Sequence, residues 1–295
     1  MTAPMTEPAT EPSPFQTDYE CFSVSIADGV AHIRLSRPEK RNAMSPSFWT
    51  DLPAIVDNID AHSRARAIVI SSTGPIFSAG IDVSMFGTIG GSGDKNQPTY
   101  GMEFYDKVLR LQESFTALER CRVPVIAAIQ GGCIGGAVDL VTACDIRVAT
   151  EDAYVTIYEI NVGMTADVGT FPRILNHLPE GIVRELAYTG RRMGAEEAVR
   201  LGLFNSAHPD HEACVEAALE MAREIASKPP LAVAGCKRII TYSRDHSTAD
   251  ALDNIAVWNM SMLIPAEMME AMASKAQKRP GEYADLPRTA ASEGG

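Results

Sequence analysis

Three carboxylates in the middle of the chain stand among small and apolar residues. Asp139 lies in a run of Gly, Ala, Val and Leu, and Glu159 and Asp167 follow it, eight residues apart. Burial of a carboxyl group favours its neutral form, and carboxyl groups held in apolar pockets act as general acids and bases. The sequence therefore predicts proton-transfer chemistry, with an exposed or helix-capping carboxylate as the ordinary alternative at each position.

Two glycine-containing turns precede or contain these acids. Gly80 stands where a strand-like run ends in FSAGIDVSMF, and IQGGCIGGAVDLVTACDIRVAT runs from a buried strand through four glycines into a helix starting near Gly135 or Gly136. Each turn leaves backbone N–H groups free for a ligand, and the helix adds the positive end of its dipole. Neither turn has the spacing of a nucleotide-binding loop. As a pair they predict two N–H donors to one oxygen, the arrangement that stabilises an enolate.

The elements that must position these residues are typical of one large α/β domain. FSVSIADG and VAHIRLSRP read as two strands joined by a tight turn at Asp28 and Gly29. ARAIVISS and VPVIAAI are rich in Val, Ile and Ala, as expected of strands buried on both faces. Helical spacing dominates the last third, where Ser247 and Asp250 resemble a capping arrangement.

Composition excludes several classes of protein. The net charge of -12 disfavours a general grip on nucleic acid or on an anionic membrane. No apolar run approaches the roughly 20 residues of a spanning helix, so we expect a soluble protein with no membrane partner. The six cysteines form no CxxC pair and have no His at ligand spacing, which predicts reduced, mostly buried thiols and no metal site.

The two ends of the chain read differently from its centre. Residues 1–17 are rich in Pro, Thr and Glu and lack the features of a targeting signal, so we expect a disordered tail and a cytoplasmic location. We place a core at 18–210, a helical region at 211–278 and a loose tail at 279–295. The Gly-rich residues 88–98 predict a connection or a mobile lid.

The motifs RPEKRNAMS, FSAGIDVSMF and GGCIGGAVDLVTACDIRVAT, in this order, resemble the crotonase (enoyl-CoA hydratase/isomerase) family. The likeness covers Phe22 to Met269. It implies an α/β fold, a spiral of repeated ββα units with a helical C-terminal trimerisation region, and thus a homotrimer or a dimer of trimers. It also implies an acyl-CoA substrate, no further cofactor, and an oxyanion hole formed by the backbone N–H groups of Ile81 and Gly136.

The acids indicate a subgroup of this family. GGxxDL, YEINVG, ADVGT and WNMSML resemble the dienoyl-CoA isomerases of fatty-acid β-oxidation, which move 3,5 double bonds to the 2,4 positions. The resemblance implies that Asp167 removes the C2 proton, that Glu159 delivers a proton to C6, and that Asp139 tunes both. Because Asp139 lies at a helix N-terminus that should keep it ionised, we expect Glu159 to be the protonated donor.

Further residues are candidates for substrate binding. Around the first Gly turn these are Ser78, Ala79, Gly80 and Asp82. In the RPEKRNAMS segment the basic candidates for the phosphates of coenzyme A are Arg37, Lys40 and Arg41, with solvated loop charges as the alternative.

Three alternatives remain open at this point. A hydratase of this family would clasp one water between Asp139 and Glu159 and leave Asp167 as a bystander. A non-catalytic scaffold would bind acyl-CoA or a protein partner without using the acids. An RNA-binding member of the family is disfavoured by the charge of -12 and by the absence of a Lys/Arg stripe.

Overall fold

The computed structural model describes residues 19–85 and 98–289. Its strands there are β1 (Phe22–Ala27), β2 (Val30–Leu35), β3 (Ala67–Ser72), β4 (Val125–Ile129), β5 (Gly132–Ile134), β6 (Ile146–Thr150), β7 (Tyr154–Thr156), β8 (Met193–Gly194) and β9 (Ser206–His208). Its α-helices there are α1 (Pro46–Ala61), α2 (Tyr100–Arg120), α3 (Gly136–Ala143), α4 (Thr170–Ile174), α5 (Glu180–Thr189), α6 (Ala195–Leu201), α7 (His211–Ala226), α8 (Pro230–Asp245), α9 (Thr248–Met262) and α10 (Pro265–Gln277). Short 3-10 helices cover Pro38–Lys40, Val83–Met85 and Glu159–Val162. The predicted tail 1–17 and residues 88–97 of the Gly-rich segment lie outside the described residues.

The hairpin that opens the fold confirms the turn predicted from the sequence. Strands β1 and β2 pair antiparallel, and Ala27 lies opposite Val30 across a two-residue turn. Asp28 has φ 52° and Gly29 has φ 73°. A turn of this length that follows the strand twist needs positive φ at both positions, which Asp and Gly tolerate best.

Two sheets are built by a repeating order of strand, strand and helix. The large sheet has the order β1-β2-β3-β4-β6-β9 and is parallel from β2 onward, and the small sheet has the order β5-β7-β8. Strands β4 and β6 enter the large sheet, and each is followed at once by a strand of the small sheet, β5 or β7. Helix α3 follows β5, and α4 follows β7 after a 3-10 turn. This repetition confirms the predicted ββα units.

Strand β3 separates two layers of core because its side chains alternate between the faces of the sheet. Ile68 and Ile70 pack into the main core, which also contains residues of α1, α2 and α3. Ala67 and Val69 face a second cluster with Cys214, Ala218, Ala222 and Ala226 of α7. Helix α7 thus covers the other face of the sheet, and its four small residues allow close approach. Both faces of β3 are buried, as its unbroken apolar run predicted.

The C-terminal helices α8, α9 and α10 leave apolar side chains exposed. Ser247 and Asp250 form the predicted capping box at the start of α9. That helix contains no buried residue. On α9 and α10 the exposed fractions reach 80% for Met260, 67% for Met269 and 64% for Met272. Such a concentration of exposed apolar surface is typical of an interaction face.

The segment 279–289 has no regular secondary structure, yet it lies against the core. The guanidinium of Arg66 pairs with Asp285 at 2.8 Å. The Arg122 guanidinium donates to the backbone oxygen of Pro287, also at 2.8 Å. These contacts differ from the predicted loose end after residue 278. The segment is held by polar contacts from two arginines of the core to one carboxylate and to backbone oxygens, and the composition of the segment does not reveal such contacts.

The thiols of the chain are free, and five of the six are buried, as predicted; Cys236 is exposed. Within residues 19–85 and 98–289, no group of three or more His, Cys, Asp or Glu side chains is arranged to hold a metal ion. In the same residues no helix combines the length and the apolar character that crossing a membrane requires.

Candidate active site

The three predicted acids line one cavity of about 200 Å³. Asp139 comes from α3, Glu159 from the 3-10 turn after β7, and Asp167 from the loop before α4. The rest of the wall is mostly apolar and is formed by Ala79, Ile81, Val83, Ile134, Gly135, Gly136, Tyr158, Val162, Met164 and Val168. An apolar cavity with a few convergent polar groups is the usual form of a small-molecule site. The fold therefore brings together three acids spread over 28 positions and wall residues up to 89 positions apart in sequence.

The first Gly turn packs directly on the second. Gly80 has φ +81°, and a Cβ at this position would lie 2.5 Å from the Ile134 oxygen and 3.1 Å from the Gly136 nitrogen. Only glycine fits such an approach. The Ser78 hydroxyl donates to the Asn42 oxygen at 2.8 Å and accepts from the Gly80 amide at 3.1 Å. The buried Ser78 thus braces the turn from behind and is not among the residues that line the cavity.

The amides of Ile81 and Gly136 lie side by side at the cavity wall. A Cβ on Gly136 would lie 3.6 Å from the Ile81 nitrogen, so the two backbones are nearly in contact. Gly136 is the first residue of α3, where the amides have no partner within the helix. Among the residues that the structure describes, none accepts a hydrogen bond from either amide. Both donors are therefore available to one oxygen in the cavity.

Asp139 is the most deeply buried of the three acids, with 1% of its surface exposed. Its Oδ1 accepts a hydrogen bond from the Thr170 amide at 2.6 Å, at the start of α4. Burial first, and the neighbouring Glu159 second, raise the pKa of Asp139 to about 7. This differs from the expectation that the helix N-terminus keeps Asp139 ionised. The Thr170 amide does favour the charged form, but the loss of hydration outweighs it.

Glu159 carries a carboxylate oxygen without a partner. Its Oε2 is buried and has no hydrogen bond within the described residues. Its Oε1 would lie 3.2 Å from a Cβ on Gly135, so the absence of a side chain there leaves room for the carboxyl group. Burial, and then the charge of Asp167, raise the pKa of Glu159. An unpaired buried oxygen is costly to stability, which marks this group as one kept for a purpose other than packing.

Asp167, like Glu159, is only partly buried, whereas Asp139 is almost fully buried. Burial raises the pKa of Asp167. Its backbone oxygen accepts a hydrogen bond of 2.7 Å from the side-chain amide of Gln112, which holds the loop against α2. The loop ends at Gly169, with φ +132°, a conformation that favours glycine.

Arg173 on α4 contributes to the site, although the sequence pattern gave it no predicted role. It pairs with Glu119 at 2.7 Å and donates to the Thr116 hydroxyl at 3.1 Å, both on α2. A third bond of 3.4 Å reaches the Val168 oxygen. A Cβ on Gly169 would lie 1.8 Å from Nη1 of Arg173, so the guanidinium occupies the space that this glycine leaves. The pairing of Gly169 with an arginine four residues later was the available signal.

The basic candidates for coenzyme A binding do not line the cavity. Arg37 pairs with Glu20 at 3.3 Å and lies 4.0 Å from Asp82, so two carboxylates oppose its charge. Asp82 accepts from the amide and hydroxyl of Ser84, and these bonds lower its pKa. Lys40 and Arg41 are exposed. The structure thus places Arg37 and Asp82 in a local network and leaves the other two at the surface.

Comparison with known proteins identifies a family. A family model described as Enoyl-CoA hydratase/isomerase matches residues 25–285. The chain is 42% identical over 268 residues to the mitochondrial Delta(3,5)-Delta(2,4)-dienoyl-CoA isomerase of Homo sapiens, covering 88% of this chain and 80% of that protein. It is 36% identical over 269 residues to the peroxisomal Delta(3,5)-Delta(2,4)-dienoyl-CoA isomerase of Arabidopsis thaliana, covering 90% and 97%.

A solved structure of an enoyl-CoA hydratase has a similar fold. The crystal structure of a putative enoyl-CoA hydratase from Streptomyces coelicolor A3(2) superposes with a TM-score of 0.83 at 27% identity, covering 95% of this chain and all of that one. The sequence predicted a cytoplasmic location, and the mitochondrial and peroxisomal relatives contradict this prediction. It depended on finding no recognisable signal in residues 1–17, which is weak evidence for a location. The chain belongs to the enoyl-CoA hydratase/isomerase family.

Proposed function

We propose that the protein converts a 3,5-dienoyl-CoA to a 2,4-dienoyl-CoA, as an enzyme of fatty-acid β-oxidation. The observation that carries this proposal is that Asp167 and Glu159 line the same cavity as the free amides of Ile81 and Gly136. A relocation of a proton from C2 to C6 needs one acid–base group at each end of the diene. Relatives from Homo sapiens and Arabidopsis thaliana are named for this reaction.

The proposed reaction begins with the thioester oxygen between the amides of Ile81 and Gly136. The ionised carboxylate of Asp167 takes the proton from C2, and the electrons of the broken C–H bond spread through the diene and the thioester as a conjugated enolate. The two amides stabilise the negative charge that develops on the oxygen. The carboxylic acid of Glu159 then gives a proton to C6, which leaves double bonds at the 2 and 4 positions. No cofactor beyond the substrate's coenzyme A takes part.

Asp139 has a supporting role in this proposal. It is buried, bonded to the Thr170 amide and adjacent to Glu159, and the charge of each acid raises the cost of ionising the other. At neutral pH the pair therefore retains a proton. We assign that proton to Glu159 during the reaction because its Oε2 has no competing partner among the described residues. With the shared proton on Glu159, Asp139 is ionised, and its negative charge keeps the donor protonated.

The alternative is a hydratase that holds one water between Asp139 and Glu159. The bond from the Thr170 amide uses one acceptor position of Asp139, which leaves less of this carboxylate free to hold a water. The test is to assay the purified protein with a 3,5-dienoyl-CoA and with a 2-enoyl-CoA, and to repeat both assays with Glu159→Gln. We expect isomerisation to dominate and to be lost in the variant. Hydration much faster than isomerisation would overturn the proposal in favour of the hydratase.

We also propose that the protein self-associates through α9 and α10 into a trimer or a dimer of trimers. The exposed apolar side chains of Met260, Met269 and Met272 support this, since a lone chain gains nothing by exposing them to water. For the nucleotide part of the substrate we propose Lys40 and Arg41 as phosphate contacts, because they are exposed. Arg37 is committed to Glu20 and to the region of Asp82.

A further inference from the structure

A second cavity, of about 350 Å³, adjoins the candidate active site. Asp167 and Val168 belong to the walls of both cavities. The other walls of the second cavity come from α2, from α4 and the residues just after it, and from the end of α8, and they are much more polar than those of the first. Its polar residues include Gln112, Thr116, Glu119, Arg173, Asn176 and Arg244.

The partition between the cavities is a short loop that is held in place. The side-chain amide of Gln112 donates a hydrogen bond of 2.7 Å to the backbone oxygen of Asp167, and Arg173 donates to the Val168 oxygen. On the opposite wall, Glu119 of α2 pairs with Arg173 of α4 and with Arg244 of α8, each at 2.7 Å, and so connects the three helices. The loop therefore carries Asp167 as a fixed wall between an apolar space and a polar one.

The polar cavity suits water. Its volume leaves room for several water molecules, and its walls offer the hydrogen-bond partners that ordered water requires. Asp167 is half buried, whereas Asp139 has 1% of its surface exposed. Of the three acids, Asp167 is the one that borders this second space.

The proposed reaction leaves the acids in the wrong protonation states for the next cycle. Asp167 ends with the proton from C2, and Glu159 ends without the proton given to C6. Asp167 must lose a proton and Glu159 must gain one before another substrate reacts. Either one proton passes between the two acids inside the substrate cavity, or the acids exchange protons with solvent.

We infer that Asp167 exchanges its proton with solvent through the polar cavity while the enolate is still bound. The proton removed from C2 is then not the proton delivered to C6. The inference rests on the proposed isomerase function and deepens it by assigning the polar cavity a role. A substrate that fills the apolar cavity blocks that side of Asp167, and the polar side stays open to water.

The decisive experiment follows deuterium in D₂O. The full-length protein is incubated with a 3,5-dienoyl-CoA, the reaction is stopped at partial conversion, and recovered substrate and product are analysed by mass spectrometry and NMR. At early conversion, when too little product has formed to return to substrate, deuterium at C2 of the recovered substrate reports deprotonation, exchange of the proton on the base and return of a deuteron before the ligand leaves. We expect this label in excess of an enzyme-free control that measures chemical exchange.

The outcomes separate the two proposals. Product with deuterium-free recovered substrate supports the isomerase and overturns the exchange route. No product at all overturns the proposed function itself. Deuterium in the recovered substrate and in the product supports both proposals.

Variants that fill the polar cavity provide an independent test. Thr241→Phe and Asn176→Phe each place a large apolar side chain in its wall, from α8 and from the turn after α4. We expect the ratio of C2 exchange to isomerisation to fall several-fold in both. Ile240→Phe is the matched control, since Ile240 directly precedes Thr241 on α8, is 65% exposed and lines neither cavity. An unchanged ratio in both cavity variants, with native thermal unfolding, overturns the route.

Discussion

The amide nitrogen of Thr170 lies 2.6 Å from Oδ1 of Asp139 and donates a hydrogen bond to it. This bond links the first turn of α3 to the first turn of α4 through a carboxyl group that is almost fully buried. The bond favours the charged form of Asp139, whereas burial and Glu159 favour the neutral form and prevail. Asp139 thus connects two helices and also makes the stability of the fold depend on pH.

The first prediction concerns stability and pH. In the folded state the pKa of Asp139 is about 7, above its ordinary value of 3.8, so the folded state binds this proton more tightly than the unfolded state. Stability from this group is full below pH 4, falls as the pH rises to 7, and is lost above it. The difference amounts to up to about 4 kcal/mol.

Asp139→Asn keeps an acceptor for the Thr170 amide and removes the titration. We therefore expect the variant to gain stability relative to wild type at pH 8 and to lose that part of the pH dependence between pH 4 and 7. Chemical denaturation across this range measures both effects. Asp106→Asn, at an exposed position of α2, is the control and should leave the profile unchanged. A variant less stable than wild type at pH 8 would contradict the reasoning.

The second prediction separates the two ends of the proposed reaction. Asp167→Asn should lose both isomerisation and C2 exchange in D₂O, because the base is gone. Glu159→Gln should lose isomerisation but keep C2 exchange, because deprotonation still occurs and only the final proton is missing. General acid–base groups contribute about 10²- to 10⁴-fold, which sets the expected loss of rate. Glu151→Gln, at an exposed position, is the control. Loss of exchange in Glu159→Gln alone would reverse the two roles.

The third prediction tests the contact between the two Gly turns. A methyl group at Gly80 would lie 2.5 Å from the Ile134 oxygen, in a backbone conformation with positive φ. We expect Gly80→Ala to move the Ile81 amide and to lower kcat by about 10²- to 10³-fold, the typical effect of losing one oxyanion donor. Gly181→Ala on α5 is the control, because nothing lies within 4 Å of its Cβ. It should keep activity and gain up to about 1 kcal/mol of stability.

The fourth prediction treats Arg173 as a positioning residue for Asp167. Its guanidinium fills the space beside Gly169 and fixes the loop to α2. We expect Arg173→Met to lower kcat far more than it raises KM, and to shift the acidic limb of the pH–rate profile, because Asp167 is displaced without loss of the binding surface. Arg173→Lys should restore activity only in part, since lysine cannot donate in a planar fork.

The control for this variant is Arg184→Met, which removes an exposed pair with Glu180 one turn away on α5. Surface pairs of this kind contribute little, so activity and unfolding should change little. A fall in thermal stability of Arg173→Met with an unchanged kcat in the folded fraction would show that the residue serves the fold alone.

Much of this architecture is visible in the sequence because it follows from local pattern. Asp28 and Gly29 specify a hairpin by their tolerance of positive φ, and the run at Ala67–Ser72 specifies a strand buried on both sides. The pairing of the two Gly turns also follows from their residues, since Gly80 and Gly136 are needed where backbones nearly touch.

Other features depend on distances between segments far apart in sequence. The pKa of Asp139 depends on how completely the side chain is buried and on Thr170, 31 residues away. Its position at a helix N-terminus alone therefore predicted the wrong direction for the pKa shift. The role of Arg173 depends on Glu119, which local pattern does not connect to it. Docking of residues 279–289 likewise requires Arg66 and Arg122, whose partners are mainly backbone oxygens.

The last prediction concerns the exposed face of α9 and α10. Met260 and Met269 are 80% and 67% exposed in the single chain, although both are apolar. If this face joins copies of the chain, a charge there has to be buried without a partner, which costs several kcal/mol per ion. We therefore expect Met260→Glu combined with Met269→Glu to convert the oligomer to monomers in light scattering, with the helical content retained. Met102→Glu, at a residue of α2 that is 73% exposed, is the matched control and should leave the assembly intact. An oligomer that survives the double change would place the interface elsewhere, because no such face tolerates two buried carboxylates per chain.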